Sequence, residues 1–484
     1  MDRSGLDFSR IKTWLSYCDT NHHGACLRIE DPWKRVDPPA SLYFVDVEDE
    51  RVSLLPGTST YLTLSYVWGT DSSPLISTTA NIDDLSTSHS LAETSPLGKQ
   101  LPRTIRDAMK VTRELGYRYL WVDRLCIIQD DHVNKPEHIA AMAAIYGNSS
   151  LTIIADNGDD VNGLPGVGQS DTAERHPFDV ISLPDGIQLV LDDPKPGSHP
   201  NLLPEKSYHR RDWTLQEELL SNRTLKFNPQ EVKWMCRKSR FREILNDKDQ
   251  ISDNRKSSIE IQLFKPKPDI TTYGHLAEDY TSRFLTYDSD AVNAFSAIIA
   301  AFSKSMSGGM LYGVPELLFE GALLWQPREP LRRRTSPTAP SWSFLGWQGS
   351  GLSVRTWSAL YLNTAHDKYR KDVYFNSQVR LLPCAEFYKT DMRTGEQLAI
   401  RSSHYSEENS KNGEDLSDYH ADKAPIPQEP YPHLSSLRGR RFSPCVLNFA
   451  VSWLGMCFPL GKTVVKVSVK MWLCLIRMDR SLVR

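Results

Sequence analysis

The chain has 484 residues, 40% apolar, 24% charged and 10% aromatic, ordinary globular usage that excludes collagen-like, coiled-coil and wholly disordered classes. Lys plus Arg number 57 against 60 Asp plus Glu, a net charge of -3, so no global field grips a phosphate backbone and no nucleic-acid partner is expected. Eight cysteines are scattered along the length, and the opening MDRSGLDFSRIKTW carries charge where a leader needs an apolar run. An intracellular, cytoplasmic chain with reduced thiols is therefore expected.

Residues 1–60 mix short apolar runs with Pro-rich joints at Pro38, Pro39 and Pro56. YLTLSYVW (61–68) is a short apolar, β-branched run ending in Gly69, the pattern of a buried strand. Residues 70–100 are rich in Ser and Thr without a clear period and read as a long loop with room for one short helix. Ile105, Ala108, Met109, Thr112 and Leu115 recur at helical spacing, and Gly116 is placed to end that helix. Tyr119–Asp123 reads as a strand ending in an acid. Ile139, Met142, Ala143 and Tyr146 mark a second helix, with Pro136 near its start and Gly147 at its end. SLTIIAD (150–156) is the third strand. Strand and helix in alternation imply a parallel sheet with crossover connections. Ligands of such sheets sit beyond the carboxyl ends of the strands, which here carry Tyr66, Trp68, Gly69, Asp123, Arg124, Asp156 and Asn157.

Residues 156–205 are rich in Gly, Pro and Asp and form a joint. RRDWTLQEELLSNRTLKF (210–227) suggests a helix followed by a strand. Residues 237–275 are polar and read as irregular, and 275–305 read as helical. The stretch 401–430 is too poor in apolar residues to order. Val465, Val467 and Val469 alternate with Lys466, Ser468 and Lys470, as in a half-buried strand. Phe442–Gly461 carries no charge and has spanning length, but Pro444, Asn448, Ser452 and Pro459 interrupt it, so a membrane span is not expected.

Four blocks, LSYVWG (64–69), LPRTIRDAMKVTRELGYRYLWVDRLCIIQDD (101–131), IAAMAAIYGNSSLTIIAD (139–156) and RRDWTLQEELLSNRTLKF (210–227), resemble the fungal heterokaryon-incompatibility domain in content, order and spacing. YTSRFLTYDSDAVNAFSAI (280–298), ALLWQ (322–326) and PSWSFLGW (340–347) resemble segments that usually follow it. The resemblance implies an effector of non-self recognition and programmed cell death, acting with a second copy or an incompatibility partner protein. It also implies distant similarity to TIR domains, with YLTLSYVWGTD similar to the first TIR strand and WTLQEEL similar to the helix whose glutamate, in some TIR domains, cleaves NAD. The fold expected is α/β: a parallel-sheet, TIR-like (flavodoxin-like) domain at 41–230 after an N-terminal extension at 1–40, then an α+β region at 231–400. A disordered linker at 401–440 and an unclassified tail at 441–484 complete the layout.

By that resemblance Glu217 is the candidate catalytic residue, and NAD the candidate substrate rather than a bound cofactor. Breaking the nicotinamide–ribose bond develops oxocarbenium character, which a carboxylate stabilises. Trp213 lies one helical turn earlier and is expected to face the same cleft. The competing reading is that Gln216, Glu217 and Glu218 solvate a helix face. Tyr66, Trp68, Gly69, Asp123, Arg124, Arg211 and Trp213 form the expected ligand-binding set. Asp123 suits ribose hydroxyls or a hold on Arg124, or equally the capping of loop amides. Arg210 and Arg211 suit a pyrophosphate or pairing with Asp212 and Glu217. Cys126 lacks a protease signature and reads as a buried thiol. Cys18, His22, His23 and Cys26 have ligand types that suit zinc, but adjacent histidines seldom reach one ion and a structural site wants four ligands. No metal site is expected from that spacing. P-loop, GxGxxG and HExxH patterns are absent.

Overall fold

A computed structural model describes residues 5–26, 38–69, 75–156, 158–168, 208–245, 270–285 and 287–305, with shorter segments at 180–182 and 188–190 and between 309 and 471. The expected disordered linker (401–440) and the uncharged run at 442–458 lie outside the described residues.

Helix α1 spans Phe8–Asn21, with the Asp7 carboxylate accepting from the Ser9 and Arg10 amides at its start. Two strands follow, β1 (Ser41–Asp46) and β2 (Arg51–Pro56), paired as an antiparallel hairpin. Strand β3 is Tyr61–Ser65, and all five residues are buried, as befits a central strand covered on both faces. Helices α2 (Ile82–Leu85) and α3 (Arg103–Glu114) lead to β4 (Tyr119–Trp121). Helix α3 stops where expected: Gly116 takes φ +85°, a left-handed conformation that costs glycine little. Three short helices, α4 (Asp123–Cys126), α5 (Lys135–Ala140) and α6 (Met142–Asn148), precede β5 (Thr152–Ala155). The single helix expected around 139–146 is thus two, joined at Ala141.

The hairpin β6 (Val180–Ser182) and β7 (Gln188–Val190) stands apart from the main sheet. Helix α7 covers Asp212–Leu220, followed by β8 (Arg223–Phe227), β9 (Val232–Cys236) and β10 (Arg240–Arg242). Eight strands make one sheet in the order β10-β9-β8-β5-β3-β4-β1-β2. Its centre is parallel: β3 pairs with β4 and β5, and β5 with β8. Its wings are antiparallel, with β8-β9-β10 on one side and β4-β1-β2 on the other. The architecture is α/β, and parallel pairing obliges each central pair to be joined by a long crossover. Those crossovers carry α3, then α4 to α6, then α7.

One expectation changes here. The irregular stretch placed at 237–275 includes a strand at 240–242, because β9 turns back on itself through Arg237 and Lys238. Beyond it, α8 (Ile270–Ser282) and α9 (Asn293–Ser305) form the helical block. Farther on, the alternating valines do form a strand, Thr463–Met471, paired antiparallel with Ala385–Asp391. Among the described residues no helix is long and apolar enough to cross a membrane.

The core is continuous, running from Ile11 and Trp14 of α1 through the sheet to Tyr273, Tyr280 and Phe295 of α8 and α9. Leu62, Leu64, Leu120, Ile153 and Leu225 are at most 1% exposed. Each contributes about 1.5–3 kcal/mol relative to exposure.

Candidate functional site

Strand β3 alternates Tyr61-Leu62-Thr63-Leu64-Ser65, so Leu62 and Leu64 share one face and Tyr61, Thr63 and Ser65 the other. The hydroxyl-bearing face is buried, so each hydroxyl must find a partner. Tyr61 donates to the Ile145 carbonyl at 2.7 Å. Thr63 bonds Thr152 of β5 at 2.8 Å, Thr152 bonds Ser221, and Ser221 donates to the Glu217 carbonyl at 2.6 Å. Ser65, at the carboxyl end of β3, donates to the Glu217 carboxylate and exchanges a 2.8 Å hydrogen bond with the Tyr208 hydroxyl. Tyr146 of α6 reaches the same carboxylate. Helix α7 is therefore clipped to the sheet by polar groups reached from Thr63 and Ser65 on one strand face.

Glu217 is only 6% exposed. Burial pushes its carboxyl up to about 8, and the negative Asp123 adds to this, outweighing the hydrogen bonds from Ser65 and Tyr146 and the charge of Arg211. The solvated-helix reading of residues 216–218 is overturned. Gln216 is 1% exposed, and only Glu218 turns outward, pairing with Lys226 at 2.7 Å.

Asp123 heads α4 rather than ending a strand. Its carboxylate accepts from the Trp68 indole at 2.8 Å and from the Arg124 amide at 2.7 Å. Burial raises its pKa. Arg124 is 1% exposed, lies over the Trp68 ring at 4.6 Å and the Tyr66 ring at 5.9 Å, and meets Asp160 at 2.6 Å. The Asp160 carbonyl in turn accepts from the Thr104 amide in the first turn of α3, which fixes the loop against the sheet. A Cβ on Gly69 would overlap the Asp160 carboxylate, so this close approach requires glycine. Burial raises the Tyr66 phenol well above its ordinary value, and Asp123, Arg124, Asp160 and Glu217 all act on it electrostatically. Arg211, at the start of α7, acts on both Asp123 and Glu217.

Tyr66, Trp68, Gly69, Asp123, Arg124, Arg211 and Glu217 are thereby brought into one group at the carboxyl ends of β3 and β4. Trp213 departs from expectation: its indole bonds Asp290, although its ring packs on the core. Asp212 pairs with Arg334 at 3.4 Å, not with Arg210 or Arg211. Asp156, after β5, meets His209 at 2.8 Å, and Asn157 lies outside the described residues. Cys126 is fully buried and burial pushes its thiol up to about 12, so it supplies no thiolate.

Sequence reasoning missed Tyr146, Asp160 and Tyr208. Tyr146 sits at an apolar helical position and reads as core, and Asp160 lies in a stretch that reads as a joint. Only tertiary contact marks them. Among the described residues, metal-type ligands group at Cys18, His22, Cys26 and Cys236, not around Glu217. A cleft of about 390 Å³ beside β1 and α5, lined by Tyr43, Leu54, Lys135 and His138, shares no residue with the Glu217 group.

The fold and site define an α/β protein with a protonatable carboxyl held at the rim of the parallel centre of a mixed sheet. Residues 61–217, from the first residue of β3 to Glu217, match the family model of the heterokaryon incompatibility protein (HET). The match bears out the kinship drawn from the four sequence blocks. No curated protein matches the chain significantly, and no solved structure does.

Proposed function

We propose that the protein is an effector of fungal non-self recognition and programmed cell death, and that its heterokaryon-incompatibility domain is TIR-like and cleaves NAD with Glu217 as the key group. The observation that carries this reading is the buried, proton-holding Glu217 carboxyl on Ser65, with Asp123, Arg124 and Arg211 beside it. Taken in chain order, the four parallel strands lie second-first-third-fourth across the sheet. That order supports a flavodoxin-like reading, in which ligands bind at the crevice between the first and third strands. Ser65 ends the first of them.

The chemistry follows from the charges. The pyridinium of NAD is cationic, and its approach favours the ionised Glu217. The C1′–N bond then breaks with its electron pair passing to the pyridine nitrogen, releasing neutral nicotinamide. The Glu217 carboxylate stabilises the oxocarbenium, water adds at C1′, and its proton passes to Glu217. Arg124 and Arg211 suit the pyrophosphate. Removing Glu217 takes away about 10²-fold or more of the rate. Purified chain incubated with NAD should release nicotinamide, and Glu217→Gln, folded to the same extent, should not. Unchanged turnover in the variant sinks Glu217 as the catalyst.

A second reading has its own support. Glu217 is sealed by Ser65, Tyr146 and Tyr208 and is 6% exposed, as a structural group would be. In that case the domain signals without catalysis, by self-association or by binding an incompatibility partner. It predicts no nicotinamide release, together with concentration-dependent assembly in light scattering.

A further inference from the structure

The N-terminal helix ends in an arrangement that the family match, which begins only at Tyr61, does not cover. Cys18 lies in the last turn of α1, and His22 caps that helix with φ −102°. His23 and Gly24 then take φ +49° and +79°, and the Ala25 amide returns to the His22 carbonyl at 2.8 Å. This reversal brings Cys26 back beside Cys18. The fourth member arrives from 214 positions beyond His22: Cys236 ends β9, where the chain turns into β10.

The ligand atoms of all four lie within 4.8 Å of one another. His22 Nδ1 is 3.3 Å from Cys18 Sγ, 3.5 Å from Cys26 Sγ and 3.6 Å from Cys236 Sγ. A tetrahedral ion with zinc–sulfur and zinc–nitrogen bonds of ordinary length would hold nitrogen and sulfur about 3.5 Å apart. Hydrogen bonding does not account for this. His22 Nε2 is engaged by Ser239 Oγ at 3.1 Å, which leaves Nδ1 one lone pair for three sulfurs. The second contact is also what a metal-bound imidazole requires, since its far nitrogen is normally held by an outer partner. The β9–β10 turn directs backbone amides at the sulfurs: Ser239 at Cys236 Sγ (3.3 Å), Lys238 at the same atom, and Arg237 at Cys26. Such donors favour thiolates. All three cysteines are buried and none forms a disulfide.

We propose that Cys18, His22, Cys26 and Cys236 form a structural Cys3His zinc site, which ties α1 to the β9–β10 edge and so joins the segments on either side of the heterokaryon-incompatibility domain. The adjacent-histidine objection disappears, because the turn at His23 removes that side chain and Cys236 supplies the fourth ligand. The site is closed, with four protein ligands and no open position, so it serves folding rather than catalysis.

Full-length chain, purified in a non-chelating reductant, should carry one zinc per molecule by elemental analysis. Stripping the metal should lower Tm by on the order of 5 °C or more. Cobalt(II) in its place should give the visible bands of a tetrahedral three-thiolate site. Cys236→Ser should lose the zinc. Because that variant can also fail to fold, His22→Cys is the companion: it should keep one zinc and shift the cobalt bands toward a four-thiolate site. The proposal is overturned if folded wild-type chain takes up neither zinc nor cobalt. It is equally overturned by a disulfide among these cysteines in the reduced preparation, or by an unchanged cobalt spectrum in His22→Cys.

Discussion

Glu217 keeps its proton at neutral pH because burial, helped by the nearby Asp123 carboxylate, outweighs the hydrogen bonds from Ser65 and Tyr146 and the charge of Arg211. The linkage has a definite sign. The carboxyl titrates at its ordinary 4.5 when unfolded and at about 8 when folded, so between these values the folded state holds the extra proton. Stability from this group is greatest below about pH 4.5 and falls as pH rises to about 8, by a few kcal/mol in total. Glu217→Gln cannot titrate. The Tm of this variant minus that of wild type should therefore grow from pH 5 to pH 8 in calorimetric scans. A difference that shrinks with pH would mean that Glu217 is an ionised, paired carboxylate. Asp212, pushed up to about 7 by burial against the pull of Arg334, acts in the same direction in both proteins and cancels from the comparison.

Helix α7 holds its position through the hydroxyls of β3 and β5 as much as through its leucines. Thr152 sits at the middle of this chain, bonded to Thr63 and Ser221. Thr152→Val keeps the shape and removes one hydrogen bond each from Thr63 and Ser221, which keep Ser149 and the Glu217 carbonyl as partners, at a cost of about 0.5–1.5 kcal/mol per bond. Urea unfolding should show the loss as a lower midpoint with unchanged slope. An unaltered midpoint would mean that α7 is held by apolar contact alone. The strand YLTLS was legible in the sequence, because buried strands leave short apolar runs. The partners of its hydroxyl face were not, since Thr152, Ser221 and Tyr208 lie about 90 to 150 residues away and carry no local signal. LQEELL looked like a wetted helix for the same reason: the group that receives Glu217 is Ser65, far upstream.

Across the whole molecule, the 330s segment is bound through charge to the segment that matches the heterokaryon-incompatibility model. Arg334 is fully buried and meets both Asp212 at the start of α7 and Asp288 at 3.6 Å. Arg334→Ala strands Asp212 in the interior and should cost about 3–5 kcal/mol, read as a drop in Tm at pH 8. The cost should be smaller at pH 5, where Asp212 accepts a proton. A variant as stable as wild type at both values would show that this pair does no more than balance its own desolvation. The α/β class, the crossovers and most of the rim residues could be read from pattern, because central parallel strands and Gly-ended helices write themselves into local sequence. The antiparallel wings could not. Strands β9 and β10 are short and partly exposed, and their apolar run is broken by Lys233 and Arg240. The same distance effect hid Cys236 from the Cys18-His22-Cys26 cluster.

The central claim is that a rim carboxyl, protonated in the free protein, does chemistry on a pyridine nucleotide. Its most direct measurement is nicotinamide release from NAD by the purified chain between pH 6 and pH 9, with Glu217→Gln alongside. The account predicts kcat/KM rising about tenfold per pH unit and levelling near pH 8, with the variant at least about 10²-fold lower throughout. A pH-independent rate shared by the two proteins would contradict it.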